Sequence, residues 1–254
     1  MHFCGTLLIK DEKMYTGLKN FIKNLIFQQK NDNSFKAFEK ISYSQSGEDL
    51  IIDYIFRLRN IFLPTYLDLG ANHPFNINNT FLFYKRGSRG VNIDANPELI
   101  KIFNKYRPSD INVAIGVGEK EGNLDFFILS DPALSTFSQE EAVMQQTLGQ
   151  TLVNTSIVKT KALNTILDDY CGGIYPDFIS IDVEGFDDII VSTLSFEKSK
   201  PKVICIESVE YTTDGTGKKR SALIQKISDL GYTVYGDTNI NTIFVENNFW
   251  FNYK

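Results

Sequence analysis

Leu18, Phe21, Ile22, Leu25 and Ile26 recur at helical spacing within residues 14–30, while Lys19, Lys23 and Lys30 interrupt or flank the stripe. This pattern predicts an amphipathic helix. Its apolar stripe suits packing on the main domain or on a second subunit, so a homodimer is one arrangement the sequence allows. A membrane surface suits it less, because the basic face is thin. The polar stretch 28–34 reads as a linker. Leu50, Ile51, Tyr54, Ile55 and Leu58 share a second helical face and predict a helix over 48–59. From residue 64 the pattern changes to short apolar runs that alternate with helical segments. Strands are expected at 65–69, 90–94, 111–117, 178–183, 203–207, 232–235 and 242–245, and helices at 76–85, 97–106, 185–195 and 218–230.

Runs such as Phe178-Ile-Ser-Ile-Asp-Val183 and Val203-Ile-Cys-Ile206 are apolar on both faces or nearly so, as strands of a helix-covered parallel sheet must be. Repeated strand–helix–strand order predicts a doubly wound, Rossmann-like α/β domain. The last two strands are separated by only a few polar residues, too few for a helical crossover, so they should form an antiparallel hairpin. Residues 119–163 interrupt the alternation with an extra strand at 124–129 and a polar helix around 139–148. The expected organisation is a helical extension over 1–40 followed by one domain over 41–254.

Charge and composition narrow the partners. Twenty-six basic against 31 acidic side chains give a net charge of −5, which argues against general affinity for nucleic-acid phosphate and toward a small-molecule or glycan substrate. Cys4, Cys171 and Cys205 are scattered and lack CxxC spacing, so reduced thiols of a cytoplasmic protein are expected rather than disulfides or a thiolate zinc site. The apolar start lacks a basic leader and runs directly into Lys10-Asp-Glu-Lys13, a poor signal peptide. No stretch reaches the roughly 18 apolar residues of a transmembrane helix.

In open α/β sheets, ligands bind beyond the carboxyl ends of the strands. The first such edge is Tyr66-Leu-Asp-Leu-Gly-Ala-Asn-His-Pro74. Gly70 and Ala71 allow close approach to the turn backbone, Asp68 can accept hydrogen bonds, and Asn72 completes the turn. The second is Val91-Asn-Ile-Asp-Ala-Asn-Pro97, where Asp94, followed by Ala95, ends the strand at which a carboxylate meets ribose hydroxyls. Pro97 suits the first position of a helix. A nicotinamide-dependent oxidoreductase would use the same edges but normally needs G-x-G-x-x-G, and Asn72 and Phe75 stand at the later glycine positions. S-adenosylmethionine has a ribose but no phosphate, so one small-residue turn and one acidic strand end suffice for it. At the third edge, Ala114 offers a surface for adenine, with Asp110 as a polar partner. A non-catalytic adenosyl-ligand binding protein is the alternative from outside the enzymes.

Tyr43-Ser-Gln-Ser-Gly-Glu-Asp-Leu50, Leu67-Asp-Leu-Gly-Ala-Asn-His-Pro74, Asn92-Ile-Asp-Ala-Asn-Pro97 and Asp177-Phe-Ile-Ser-Ile-Asp-Val-Glu-Gly185 occur in order. Together they resemble the FkbM-type methyltransferases over approximately residues 41–210. The resemblance implies a seven-stranded class I methyltransferase domain, S-adenosylmethionine as donor, and usually a sugar or polyketide hydroxyl as acceptor. Many relatives have Glu-Pro-Asn-Pro where this chain has Asp94-Ala-Asn-Pro97.

Methyl transfer to an alcohol needs an aligned oxygen and a base for its proton. In Asp182-Val-Glu-Gly185 the two carboxylates are two positions apart and could face one cleft, with Glu184 the preferred base and Asp182 beside it. Glu207 ends the next strand, with Glu210 close behind. Several acids on one cleft repel unless a cation or raised pKa relieves them. Two arrangements follow. Either a Mg²⁺ or Mn²⁺ ion bridges Asp182 and Glu207 while Glu184 takes the proton, or Glu184 or His73 acts as base without metal. The Asp-x-Glu is similar to the Asp-x-Asp of metal-using sugar O-methyltransferases of this broad fold. His73 could equally orient its loop. Gln45 and Glu48 could fold over donor or acceptor, with a Ser46–Asp49 helix cap as the bland reading. Ser135 should border the acceptor pocket, and 211–219 reads as a mobile rim loop.

Overall fold

The structure, a computed structural model, describes residues 16–23, 34–183, 185–210, 212 and 216–252. The chain divides into two units, Met1–Ile41 and Ser42–Lys254. In the first, helix α1 covers residues 16–23 and a 3-10 turn covers Ser34–Phe38. Leu18, Phe21 and Ile22 are exposed on α1. Leu25, Ile26 and Cys4 lie outside the described residues, as does the expected linker except for Ser34.

The second unit begins with α2 (Glu48–Arg57), β1 (Tyr66–Leu69), α3 (Phe81–Arg86), β2 (Gly90–Asp94), α4 (Pro97–Tyr106) and β3 (Ile111–Ala114). An inserted region follows: β4 (Gly116–Gly118), β5 (Gly122–Leu129), α5 (Gln139–Thr147) and β6 (Leu152–Ala162). Then come α6 (Leu163–Tyr170), β7 (Phe178–Ile181), α7 (Asp187–Thr193), β8 (Val203–Glu207), α8 (Ser221–Asp229), β9 (Tyr232–Asp237), β10 (Asn241–Glu246) and α9 (Asn247–Phe251).

The seven-stranded sheet has the order β3-β2-β1-β7-β8-β10-β9, and only β10 runs antiparallel to its neighbours. This is the mostly parallel, hairpin-terminated sheet expected. Its order reverses between β1 and β7, so the crevice for a ligand opens where β1, β2 and β7 end. Alternation along the strands divides the core into two layers. Leu67, Leu69, Ile179, Ile181, Ile204 and Ile206 pack with Leu163, Ile166, Ile190, Leu223 and Ile227 of α6, α7 and α8. Tyr66, Phe178, Val203 and Cys205 face the other way, onto Ile52, Ile55 and Phe56 of α2 and Phe83 of α3. Both faces of the central strands are therefore covered, which is why their sequences are almost continuously apolar.

The predicted strand 111–117 is two strands. After Ala114 the chain leaves the main sheet, and β4 joins a separate three-stranded sheet of order β4-β6-β5. Gly116 leaves room there for the Phe137 ring, which a Cβ would approach to 2.4 Å. The sequence reading missed β6 and α6. Helix α3 is shorter than expected, because the Asn78 side chain accepts from the Thr80 and Phe81 backbone and holds 78–80 as a turn. Helix α2 starts after Gly47, in a left-handed conformation, rather than at a Ser46 cap. The Asp49 carboxylate instead accepts from Ser42 and Ser44 hydroxyls and the Tyr43 N–H, tying the preceding segment down. Cys171 and Cys205 are free thiols. Among the described residues no helix is long and apolar enough to cross a membrane.

Candidate functional site

The turn after β1 is built on Gly70, at φ +77°, where any Cβ would stand 1.7 Å from the Asp182 carbonyl oxygen. Strand ends β1 and β7 are thus pressed together at a position only glycine can occupy. The N–H groups of Gly70 and Ala71 both donate to Ile93 O at 3.0 Å, which fastens the turn to β2. Ala71 is buried with Ile100 and Phe103 under the turn. Asn72 is also left-handed, at φ 50°. Its N–H donates to Asp94 Oδ2 at 2.8 Å, while Asp94 Oδ1 accepts from Asn96 N at 2.7 Å. Asn96 then caps α4 by accepting from Glu98 N, and Pro97 opens the helix.

Asp94 is buried. Desolvation, and secondarily the Asp68 charge, outweigh its two backbone hydrogen bonds and push its acid up to about 6. Each oxygen accepts one such bond, and a carboxylate has about four acceptor positions, so capacity remains for vicinal hydroxyls. A cleft lies against this carboxylate, bounded also by Gly70, Asn72 and Ala95. Ile115, Val117, Phe126 and Phe137 form its apolar wall. A ribose-bearing adenine fits this combination of one buried acid, a close backbone turn and an apolar wall.

Other predicted residues stand outside that cleft. Asp68 is buried beneath the turn, where Oδ2 accepts from Thr80 Oγ1 at 2.8 Å and Asn78 Nδ2 at 3.2 Å. Desolvation raises its acid against the lowering effect of Arg107 and these hydrogen bonds. Because Asn78 Nδ2 also reaches Ala71 O at 3.2 Å, Asp68 positions the turn from below. Ala114 is exposed and borders neither cleft described here; the apolar wall begins one residue later, at Ile115. Asp110 corrects the adenine assignment outright, because it precedes β3 at the opposite edge of the sheet. Its carboxylate accepts from Tyr66 Oη, Gly90 N, Asn92 Nδ2 and Arg107 Nε. Arg107 is fully buried and pairs with Asp110 at 2.8 Å. This network joins β1, β2 and the end of α4.

His73 borders neither cleft. Its Nδ1 accepts from Asn76 N at 3.1 Å and its ring meets Phe75 edge-on at 4.5 Å. Partial burial lowers its pKa. With one ring nitrogen committed to the backbone, it orders the loop. Glu48 is likewise structural: Oε1 accepts from Thr238 Oγ1 at 2.6 Å and Asn241 Nδ2 at 3.1 Å, linking α2 to the hairpin. Burial opposes its ionisation, but these bonds and the Ser46 N–H hold its pKa below the ordinary value.

A second, larger cleft shares Gly70, Asn72, Ala133 and Asp182 with the first. Gln45, Asp131, Glu207 and Glu210 also border it. Ser135 belongs to the first cleft instead; its Oγ accepts from Leu129 N at 3.1 Å. The rim after β8 is closed at its base by a Val209–Lys219 bridge and by Glu210 N donating to Lys218 O at 2.9 Å. Thr212 and Gly217 of this rim face the cleft.

Solvent reaches Asp182, yet the protein mass around it costs the ionised form much of its hydration. That desolvation, then the charges of Asp187, Asp68 and Asp94, push its acid up to about 7. Glu207 is half-buried and is pushed up to about 9, by desolvation first and then by Asp182 and Asp187. Asp187 differs: Val183 N–H and Arg220 donate to it, and Arg220 also holds Asp188. Glu184 lies outside the described residues. Among the described residues no group of three or more His, Cys, Asp and Glu side chains could hold a metal ion.

The family model for the methyltransferase FkbM domain matches residues 68–234. No curated protein matches the chain. Among solved structures, a TehB-like SAM-dependent methyltransferase from Corynebacterium glutamicum is similar at 13% identity and TM-score 0.39, covering 88% of this chain and 97% of that one. A 1,6-didemethyltoxoflavin-N1-methyltransferase from Burkholderia thailandensis, solved with S-adenosylhomocysteine, matches at 10% identity and TM-score 0.38, covering 95% and 91%. A methyltransferase FkbM from Methylobacillus flagellatus matches at 12% identity and TM-score 0.36, covering 72% of this chain and 43% of that one. The matched region therefore spans less than half of that protein.

Proposed function

The chain belongs to the FkbM methyltransferase family, and from that premise we propose that it transfers a methyl group from S-adenosylmethionine to a hydroxyl oxygen of a sugar or glycan. The observation that carries this reading is that Asp182 borders both clefts. A group there meets a donor in the smaller cleft and an acceptor in the larger.

When bound, the donor supplies a methyl carbon on a positively charged sulfur, so the protein's task is alignment and proton removal. Asp94 takes the ribose hydroxyls and the 70–72 turn takes the methionine end. Ile115, Val117 and Phe126 enclose the base. Asp182 receives the hydroxyl proton, since an acid near pH 7 is half ionised at neutrality and still basic enough to accept it. Glu184, whose candidacy rests on its sequence position alone, stands second as base. Glu207 and Gln45 orient the acceptor. The described residues do not themselves complete a divalent-cation site. Residues 1–40 are assigned to a helical extension and 41–254 to the catalytic domain.

Transfer of label from methyl-labelled donor to a panel of oligosaccharides tests the reading. Label on a sugar oxygen supports it, and binding of donor without transfer to any hydroxyl compound turns it toward a non-catalytic role. Activity lost to a chelator and restored by Mg²⁺ or Mn²⁺ would bring the metal back.

A further inference from the structure

The backbone of Asp182 is held from both sides. Its own N–H donates to Leu69 O at 3.0 Å, continuing the pairing of β1 with β7, and the next N–H, that of Val183, donates to Asp187 Oδ1 at 3.1 Å. The two peptide groups that set the direction of the Asp182 side chain are therefore fixed. The first anchor is backbone pairing, but the second depends on a side chain. Asp187 is fully buried at the start of α7, and Arg220 supplies its counter-charge by donating to Oδ2 at 2.9 Å. Another nitrogen of the same guanidinium donates to Asp188 Oδ2 at 2.6 Å, which fixes the orientation of the planar fork. Arg220 is itself fastened to the rim after β8, since its N–H donates to Ser208 O at 2.8 Å, one residue beyond the Val209–Lys219 bridge. It borders neither cleft.

We infer that Arg220 is a positioning residue for methyl transfer, which acts through Asp187 and Val183 to hold the Asp182 carboxylate where the two clefts meet. This rests on the methyl-transfer reading above and adds to it the group that aims the base. A buried carboxylate stripped of its partner does not stay in place as an uncompensated charge. Once Asp187 moves, the Val183 N–H loses its acceptor and Asp182 can turn. Catalytic alignment tolerates little of this, because a misplacement of about 1 Å costs about 100-fold in rate. The tie also reaches across the larger cleft. Arg220 links the loop that carries Asp182 to the rim that contributes Thr212 and Gly217, so the base and the wall facing the acceptor share one fastening.

The test needs no acceptor. Sinefungin carries an ammonium group where the donor carries its transferable methyl, so its affinity relative to S-adenosylhomocysteine reads whether a carboxylate is aimed at the transfer point. Calorimetry on the full chain at pH 8 should find sinefungin at least about tenfold tighter, as a charge-assisted hydrogen bond provides. Asp182→Asn should bring the ratio toward one. Arg220→Gln should lower it at least about threefold while S-adenosylhomocysteine affinity stays within about threefold of the parent, and Arg220→Lys, which keeps a cation on Asp187, should restore most of it. Removing a positive charge would by itself favour the ammonium ligand, so a fall in Arg220→Gln reports displacement of Asp182 rather than a changed field. A ratio in Arg220→Gln equal to or above the parent's overturns the proposal. So do equal losses of both ligands, which mark a merely structural role, a lysine variant no better than the glutamine one, or a parent without preference for sinefungin. Failure of the parent to bind S-adenosylhomocysteine at all removes the methyltransferase reading itself, and the proposal with it.

Discussion

The Asn72 N–H donates to Asp94 Oδ2 across 2.8 Å, so the loops leaving two neighbouring strands are joined by the carboxylate proposed to hold ribose. Asp94→Ala removes both the clasp and the ribose acceptor. Since a hydrogen bond to a charged group contributes about 1.5–3 kcal/mol, affinity for S-adenosylhomocysteine should fall about 10- to 100-fold by calorimetry. Unchanged affinity would take Asp94 out of the donor site.

Asp182→Asn keeps the shape and removes the base. Turnover should fall about 10²- to 10⁴-fold, with affinity for S-adenosylhomocysteine within about threefold of the parent. In the parent, activity should rise with pH through about 7, because the base works only when ionised. A profile flat from pH 6 to 8 would assign the proton to another group.

Gly70→Ala places a methyl against the Asp182 carbonyl and forces β1 and β7 apart at the point where both clefts meet. Melting temperature should drop and donor affinity should be lost. Parental values for both would mean that the turn tolerates a side chain.

The Arg107–Asp110 pair sits at the other edge of the sheet. Asp110→Ala leaves a fully buried guanidinium without its carboxylate, a change that costs about 3–5 kcal/mol in denaturant unfolding. At a temperature where the variant remains folded, affinity for S-adenosylhomocysteine should match the parent. A selective loss of donor binding would return Asp110 to the site.

Glu207 links the cleft to stability. Its acid lies at about 9 in the folded protein against the ordinary 4.5, so between those values the folded form retains a proton that the unfolded form releases. Stability from this group is therefore lost as pH rises from about 4.5 to 9. Ligand-free Glu207→Gln should gain melting temperature relative to the parent progressively across that range. A constant difference from pH 5 to 9 would show that Glu207 titrates normally.

The sequence made the main sheet legible where local chemistry and periodicity agree. Helix α4 begins and ends as expected, because Asn96 caps it, Pro97 opens it, and Leu99, Ile100 and Phe103 mark its buried face. Strands β7 and β8 announce themselves by burial on both sides. Strand β6 does not. Of its eleven residues only Val158 and Thr160 are buried, and pairing with β5 holds it in place without an apolar alternation to reveal it. Helix α6 has a short stripe, Leu163, Ile166 and Leu167, and no capping side chain at its start. Gly70 and Asp94 stand where the sequence puts them, at a tight turn and a strand end that border one cleft, because both are local features. Asp110 was misassigned because its partners Tyr66, Gly90 and Asn92 come from other strands. The apolar wall at Ile115 and Val117 was hidden by the unforeseen departure of the chain from the main sheet after Ala114.

That departure separates two kinds of variation. The turn at Gly70 is clamped between β1, β2 and β7, where even one added carbon collides with backbone. The small sheet and its 3-10 turn at Pro132–Leu134 contribute Asp131, Ala133 and Leu134 to the larger cleft. Replacements at Asp131 or Leu134, which border only the larger cleft, would alter the proposed acceptor side while sparing the Gly70 turn and the Val117 and Phe126 wall of the smaller one. Members of such a lineage should diverge first in this excursion, and in what they modify, long before they diverge in what they consume.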